Sequence, residues 1–175
     1  DTMLEVYGNP SSVHKFGRKA KMIVENARKA IAALFEVAPG EIFFTAGGTE
    51  ADNTAIHCSV RDMGVGHIIT SKIEHHAVLH PIEKLAEDGH IKLDFVSVLP
   101  DGHIDLAHLE ALLKQATAHK TLVSLMHANN EIGNLLDVER VGELCQTYDA
   151  IFHCDTVQTV AHLPLKPKDV GIRMM

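Results

Sequence analysis

The chain has 175 residues, of which 46% are hydrophobic, 22% charged and 5% aromatic, an ordinary globular composition that excludes intrinsic disorder and collagen-like structure. Sixteen Lys and Arg against twenty-three Asp and Glu leave a formal net charge of -7, which argues against a broad nucleic-acid footprint. Apolar residues never run for the ~18 positions needed to cross a bilayer, and no charged-then-apolar leader opens the sequence, so a soluble, cytoplasmic protein with no membrane contact is expected.

In chain order, Val13 to Phe35 reads as a helix whose buried stripe is Phe16, Ile23, Ala27, Ile31 and Leu34, with the basic positions from Lys15 to Lys29 on its solvated face. Pro39-Gly40 ends it, and Glu41-Ile-Phe-Phe-Thr45 is expected as a strand. Gly47 and Gly48 turn the chain into a helix over Thr49 to Met63. A strand over His67 to Ser71, a helix from about His75 to Glu87 and a strand over Ile91 to Val98 follow. Asp105 is placed to N-cap a helix over Leu106 to Thr117. Thr121 to Met126 reads as an apolar strand, Val138 to Tyr148 as a helix and Ala150 to Cys154 as a strand.

Short strands alternating with helices predict an α/β fold with one mainly parallel, doubly covered sheet. The chain stops at Gly171-Ile-Arg-Met-Met175, just where another strand is expected, and so reads as part of a larger protein.

In an open sheet of this kind a ligand lies beyond the carboxyl ends of the strands, and four such places are polar. In Thr45-Ala-Gly-Gly-Thr-Glu-Ala-Asp-Asn53 a glycine turn opens a helix, where free N–H groups and the Thr49 hydroxyl favour a phosphate. The spacing is neither G-x-G-x-x-G nor Walker, and such turns are also simply structural. Ser71-Lys-Ile-Glu-His-His-Ala77 offers an imidazole that could lie on an aromatic ligand or move a proton; the bland reading is helix capping by Ser71 or Glu74 with surface histidines. His127-Ala-Asn-Asn-Glu-Ile-Gly133 places two amides and a carboxylate after an apolar strand, although Asn-rich turns are common. In Phe152-His-Cys-Asp-Thr-Val-Gln158 a strand-end carboxylate needs a partner to stay ionised when buried, and a cationic ring nitrogen would supply one. Jointly the four places ask for a phosphate, an aromatic ring, a polar ring substituent and a protonated ring nitrogen. Pyridoxal phosphate carries all four, while a flavin or nucleotide stays open on spacing alone.

Of thirteen histidines only His76 and His80 have metal-ligand spacing; no third ligand is evident and the segment is not H-E-x-x-H. A zinc hydrolase built on that pair is a competing class that metal content would reveal. Cys58, Cys145 and Cys154 are too few and too scattered for a disulfide framework and read as packing residues in a reducing compartment.

Five ordered blocks carry a family resemblance: Tyr7-Gly-Asn-Pro-Ser-Ser12, Phe44-Thr-Ala-Gly-Gly-Thr-Glu-Ala-Asp-Asn53, His67-Ile-Ile-Thr-Ser71 with Glu74-His75, Ser124-Leu-Met-His-Ala-Asn-Asn-Glu-Ile-Gly133 and His153-Cys-Asp-Thr-Val-Gln158. In these the chain resembles the cysteine desulfurases and selenocysteine lyases of the class V, fold type I aminotransferase group. The resemblance implies a pyridoxal phosphate site in which Asp155 pairs with the pyridinium nitrogen, Asn130 and Gln158 address the ring oxygen and the substrate end, His75 stacks on the ring and moves protons, and Gly48 and Thr49 cup the phosphate. It implies an enzyme that takes sulfur from L-cysteine as a persulfide and leaves L-alanine, working as a homodimer with a sulfur-acceptor protein in iron-sulfur or thio-cofactor assembly. Selenocysteine lyase, another class V lyase or transaminase, and a non-catalytic truncated module are the alternatives.

On this resemblance residues 1–12 form an N-terminal segment near the active site and residues 13–175 a partial cofactor-binding large domain. The family's Schiff-base lysine belongs to a Ser/Gly-x-His-Lys block that is absent here, and Lys72, Lys166 and Lys168 do not match it. The persulfide cysteine and the substrate-carboxylate arginine are likewise unmatched, so the 175 residues alone are expected to be inactive.

Overall fold

Alternation along three short apolar strands decides the architecture. Ile68, Leu122 and Ile151 pack on one face of the sheet against Ile56, Val78 and Ile82, while their successors Ile69, Val123 and Phe152 pack on the other against Leu109, Leu113, Val141 and Leu144. A two-residue period sends neighbours to opposite faces, and apolar residues at both phases require helices on both sides.

The computed structural model describes residues 5–116 and 118–175, and the expected helix end at Thr117 lies outside them. The chain divides into two compact units, residues 5–44 and residues 45–175. In the first, helix α1 (Lys15–Leu34) is capped by the His14 side chain, and a 3-10 turn follows at Pro39–Glu41. The second runs α2 (Gly48–Arg61), β1 (Val65–Ser71), α3 (His76–Glu87), β2 (Lys92–Val96), α4 (Leu106–Gln115), β3 (Lys120–Ser124), α5 (Val138–Thr147), β4 (Ile151–His153) and β5 (Ile172–Met174). Its five strands lie in the order β2-β1-β3-β4-β5, every pair parallel. Helices α2 and α3 supply the core on one face, and α4 and α5 supply it on the other. The expected parallel, doubly covered sheet is the one observed. Asp105 caps α4 through His108 N–H at 3.0 Å, as its position in the sequence anticipates.

Two expectations are corrected. Glu41 to Thr45 forms no strand: Ile42 is extended, but Phe43 is 81% exposed and no described strand pairs with the segment. A strand is defined by a neighbour that takes its N–H and C=O groups, and the apolar run alone does not supply one. Instead Arg28 donates to the Ile42 carbonyl, and its guanidinium lies 4.8 Å above the Phe44 ring. The fifth strand is β5, formed where the chain runs out. The stripe on α1 is also not buried. Phe16, Ile23 and Leu34 are exposed, and the buried positions are Gly17, Ala20 and Ala32. An apolar stripe is covered only where a second element lies against it, and residues 5–44 contain one long helix. On that helix Gly17 accepts the chain at Asn9 and Ser12 so closely that a Cβ would sit 2.3 Å from the Ser12 carbonyl oxygen.

The strand order places the site. The chain steps from β1 outward to β2, then returns to the opposite side of β1 to lay down β3. The carboxyl ends of β1 and β3 therefore flank the crevice where connections diverge, the usual ligand position in an open parallel sheet.

Candidate functional site

The turn after β1 is held from inside. Ser71 Oγ donates to Glu74 Oε1 at 2.7 Å and accepts from Ile73 N–H at 3.3 Å, and Glu74 is buried. The next residue, exposed His75, is the N-cap of α3: its Nδ1 accepts from Ala77 N–H at 3.1 Å. The capping expected of Ser71 or Glu74 is done by His75 itself. Because Nδ1 is an acceptor, the neutral ring carries its proton on Nε2, which faces away from the helix backbone.

Helix α2 begins at Gly48 with no side-chain cap, so the first-turn N–H groups of Gly48, Thr49 and Glu50 have no intrahelical acceptor. A Cβ on Gly48 would stand 2.9 Å from Val157 Cγ2, which places the start of α2 directly against the loop after β4. Asn53 ties α2 to α3 through Nδ2, donating to Ala77 O at 3.0 Å. That carbonyl needs an outside donor because Pro81, four residues on, has no N–H. Thr49 and His75 consequently line one groove, together with Asn53, His57, His76 and His80.

At the ends of β3 and β4 the two chains stay in step. Leu125 N–H donates to His153 O, and His127 N–H donates to Asp155 O at 2.9 Å. Asp155 is buried, and its Oδ1 accepts Val157 N–H at 2.9 Å. No ion pair among the described residues involves it. Thr159 accepts or donates at His127 Nδ1, 2.9 Å away, and closes the turn onto Thr156 O. Of the two amides after β3, Asn129 is structural, with Nδ2 on Ile73 O at 2.7 Å and Oδ1 taking the N–H groups of Glu131 and Ile132. Asn130 and Gln158 are exposed at the same edge of the sheet.

Around Asp155 lie buried titratable groups that the sequence did not reveal. Burial, and then the Asp155 charge, push Asp52 up to about 7. Burial pushes Glu74 up to about 8; the Ser71 hydroxyl and Met126 N–H oppose this, and Asp155 and Asp52 add to it. His153 is driven down to about 4 by burial, against the pull of Asp155. His153 Nε2 stands 3.6 Å from Asp52 Oδ1 and its Nδ1 is 2.9 Å from Ser124 Oγ. With the imidazole neutral and the distance long, this is not a working salt bridge. One signal was available: Ser124 and His153 interrupt apolar strands at registered positions, and paired polar residues in a core satisfy each other.

The remaining candidates disperse. His76 and His80 stack at 4.7 Å between ring centroids, and no group of three or more His, Cys, Asp or Glu among the described residues could hold a metal ion. Cys145 and Cys154 are buried with thiols pushed up by desolvation, as packing residues would be. Lys72 directs its ammonium over the Phe95 ring at 5.4 Å.

The sequence profile described as aminotransferase class-V matches residues 1–175. The chain belongs to that family. It is 40% identical over 173 residues to a protein named cysteine desulfurase IscS from Dictyoglomus turgidum, covering 98% of this chain and 43% of the relative. It is 43% identical over 172 residues to the putative cysteine desulfurase IscS 1 of Bacillus subtilis, covering 97% and 44%. Among solved structures, a NifS-like protein superposes with a TM-score of 0.88 at 34% identity, covering 98% of this chain and 47% of that one. A chain described as SspA in complex with cysteine gives 0.85 at 31% identity, covering 96% and 48%. The chain thus spans less than half the length of the relatives it matches, and its sheet is the corresponding part of their α/β fold.

Proposed function

We propose that this chain is the cofactor-binding part of a pyridoxal-phosphate-dependent cysteine desulfurase. The observation that carries the reading is the buried carboxylate of Asp155, which among the described residues has one backbone donor and no cation, at a strand end that also meets an uncapped helix start. The donor set fits the group: Asp155 suits a protonated ring nitrogen, and the bare N–H groups at Gly48 and Thr49 suit a phosphate. When bound, pyridoxal phosphate supplies the electron sink for a substrate carbanion.

The chain's own residues then divide the work. Asp155 holds the proton at the ring nitrogen. Gly48 and Thr49 bind the phosphate, the former by leaving the helix start open against Val157. His75 presents Nε2 for proton movement while Nδ1 stays on the helix cap. Asn130 and Gln158 orient the ring oxygen and the substrate end. L-cysteine as substrate is supported by the names of the two desulfurase relatives and by the cysteine bound to the SspA relative. Alanine is the product, the sulfur leaves to an acceptor protein for iron-sulfur or thio-cofactor assembly, and the assembled enzyme is a cytoplasmic homodimer. These 175 residues alone bind the cofactor reversibly and are inactive, because no lysine or cysteine at a matching position completes the chemistry.

The test is titration of the chain with pyridoxal phosphate followed by phosphorus NMR. Binding that Thr49→Ala and Asp155→Ala each weaken by roughly tenfold, about 1.4 kcal/mol, supports the reading. Binding indifferent to both substitutions sinks it. Specific borohydride labelling of Lys72, Lys166 or Lys168, with alanine released from cysteine, would overturn the inactivity of the isolated chain.

A further inference from the structure

Glu74 is left unused by that assignment, yet it is the one described residue with a buried side-chain oxygen that lacks any partner. Its Oε1 takes the Ser71 hydroxyl at 2.7 Å, and its Oε2 has no hydrogen bond at all. The residue is only 6% exposed. Oε2 cannot be serviced by a cation, because no ion pair among the described residues reaches Glu74. Of the groups that face it from neighbouring elements, Asp52 from α2 and Asp155 from the end of β4 disfavour its charge, the Cys154 thiol beside them is neutral, and Met126 N–H from the end of β3 is the one donor that opposes them. A small cavity beside it is lined by Ile73, Met126, Asn129, Leu136 and the exposed His103. An ionised carboxylate with one bare oxygen in that setting would carry an uncompensated desolvation cost, whereas a carboxylic acid would not.

We propose that Glu74 works as a neutral carboxylic acid and is a positioning residue: its hydrogen bond to Ser71 fixes the turn that presents His75, and its neutrality keeps a further negative charge out of the crevice. This does not depend on the identity of the ligand. Glutamine, the uncharged isostere, is then the faithful replacement, and carboxylate character is what the site excludes. The group's ordinary value of 4.5 and its folded value of about 8 fix the window. Between these, the folded chain holds a proton that the unfolded chain has released, so stability falls as pH rises through that window and is level above it.

The experiment compares the wild-type chain with Glu74→Gln by denaturant unfolding from pH 5 to 8. The expected result is that the dependence of stability on pH is more negative for wild type than for the variant by about one proton across the span, and that the variant is the more stable of the two at pH 8. Equal slopes, with the variant weaker throughout, would overturn the proposal. Carbon NMR of wild-type chain labelled at the glutamate side-chain carboxyl gives the same answer without a variant that must fold. One glutamate titrating near pH 8, with a matching inflection in the His75 ring resonances, supports it; every glutamate titrating below about pH 5.5 refutes it.

Discussion

At the scale of single residues the site separates charge from structure. On the proposed reading Asp155 is the partner of the ring nitrogen, and its loss should remove that partner while leaving the sheet intact, since its own hydrogen bond is a local one to Val157 N–H. In a full-length protein carrying this chain, Asp155→Ala is expected to abolish alanine production with an unchanged circular dichroism spectrum; near-wild-type turnover would refute the assignment. His75 supplies both a ring and a helix cap. Asparagine is among the best N-cap residues, so His75→Asn should keep the stability of α3, whereas His75→Ala should cost about 1 kcal/mol, read by thermal unfolding. Both should eliminate turnover. His76→Ala and His80→Ala touch neither function and should leave most of it; equal losses from all three, rescued by zinc, would restore the metal reading. That Asp155 and His75 follow strand ends was legible in the sequence, and the structure puts them there. The Ser71–Glu74 bond was not, because Ser-x-x-Glu before a helix spells a capping pattern, and only the burial of the turn shows that the two side chains bond each other instead.

At the scale of elements, the sequence distinguished buried strands from exposed apolar runs only where neighbours could be inferred. Ile68-Ile69, Leu122-Val123 and Ile151-Phe152 are apolar at both phases because helices cover both faces, and their strands were legible for that reason. Phe43 and Phe44 have the same local composition, but pairing is a non-local property and composition does not report it. Helix registry has its own non-local devices. Pro81 removes the donor that Ala77 O would have had, and Asn53 from α2 replaces it. Asn53→Ala is expected to cost about 1–2 kcal/mol by stranding that carbonyl. In a Pro81→Ala background, where the helix regains its N–H, the same substitution should cost markedly less; a double-mutant cycle measures the difference, and strict additivity would refute the coupling. Gly142 on α5 is a second such point. A Cβ there would lie 1.9 Å from the Val170 carbonyl oxygen, a backbone atom that cannot swing aside. Gly142→Ala should therefore displace the segment that leads into β5 and destabilise the chain by about 3 kcal/mol or more, read as a lowered denaturant midpoint.

At the scale of the whole molecule, the buried ionisable groups act on stability in opposite directions over different pH ranges. His153 is held neutral with its folded value at about 4, against an ordinary 6.5, so its contribution is complete above pH 6.5 and lost as pH falls toward 4. Burial lowers His127 and His67 in the same direction, the latter against the Asp94 carboxylate. Asp52 and Glu74 are raised to about 7 and about 8, so their contribution is complete only in acid and declines as pH rises through those values. From about pH 4 to 6.5 the two sets oppose each other and should largely cancel. Above 6.5 the histidines no longer change between states, and the carboxyls act alone at up to about 1.4 kcal/mol per pH unit for each proton. The expected outcome is a denaturant midpoint that is nearly level between pH 5 and 6.5 and then falls toward pH 8. Asp52→Asn should shallow that fall by part of one proton, mostly below pH 7, since an amide can occupy the space facing His153 without titrating. A wild-type midpoint that climbs between pH 6.5 and 8 would mean that Asp52 and Glu74 are ionised beside Asp155. The buried crevice would then have to contain a compensating cation that no described residue provides.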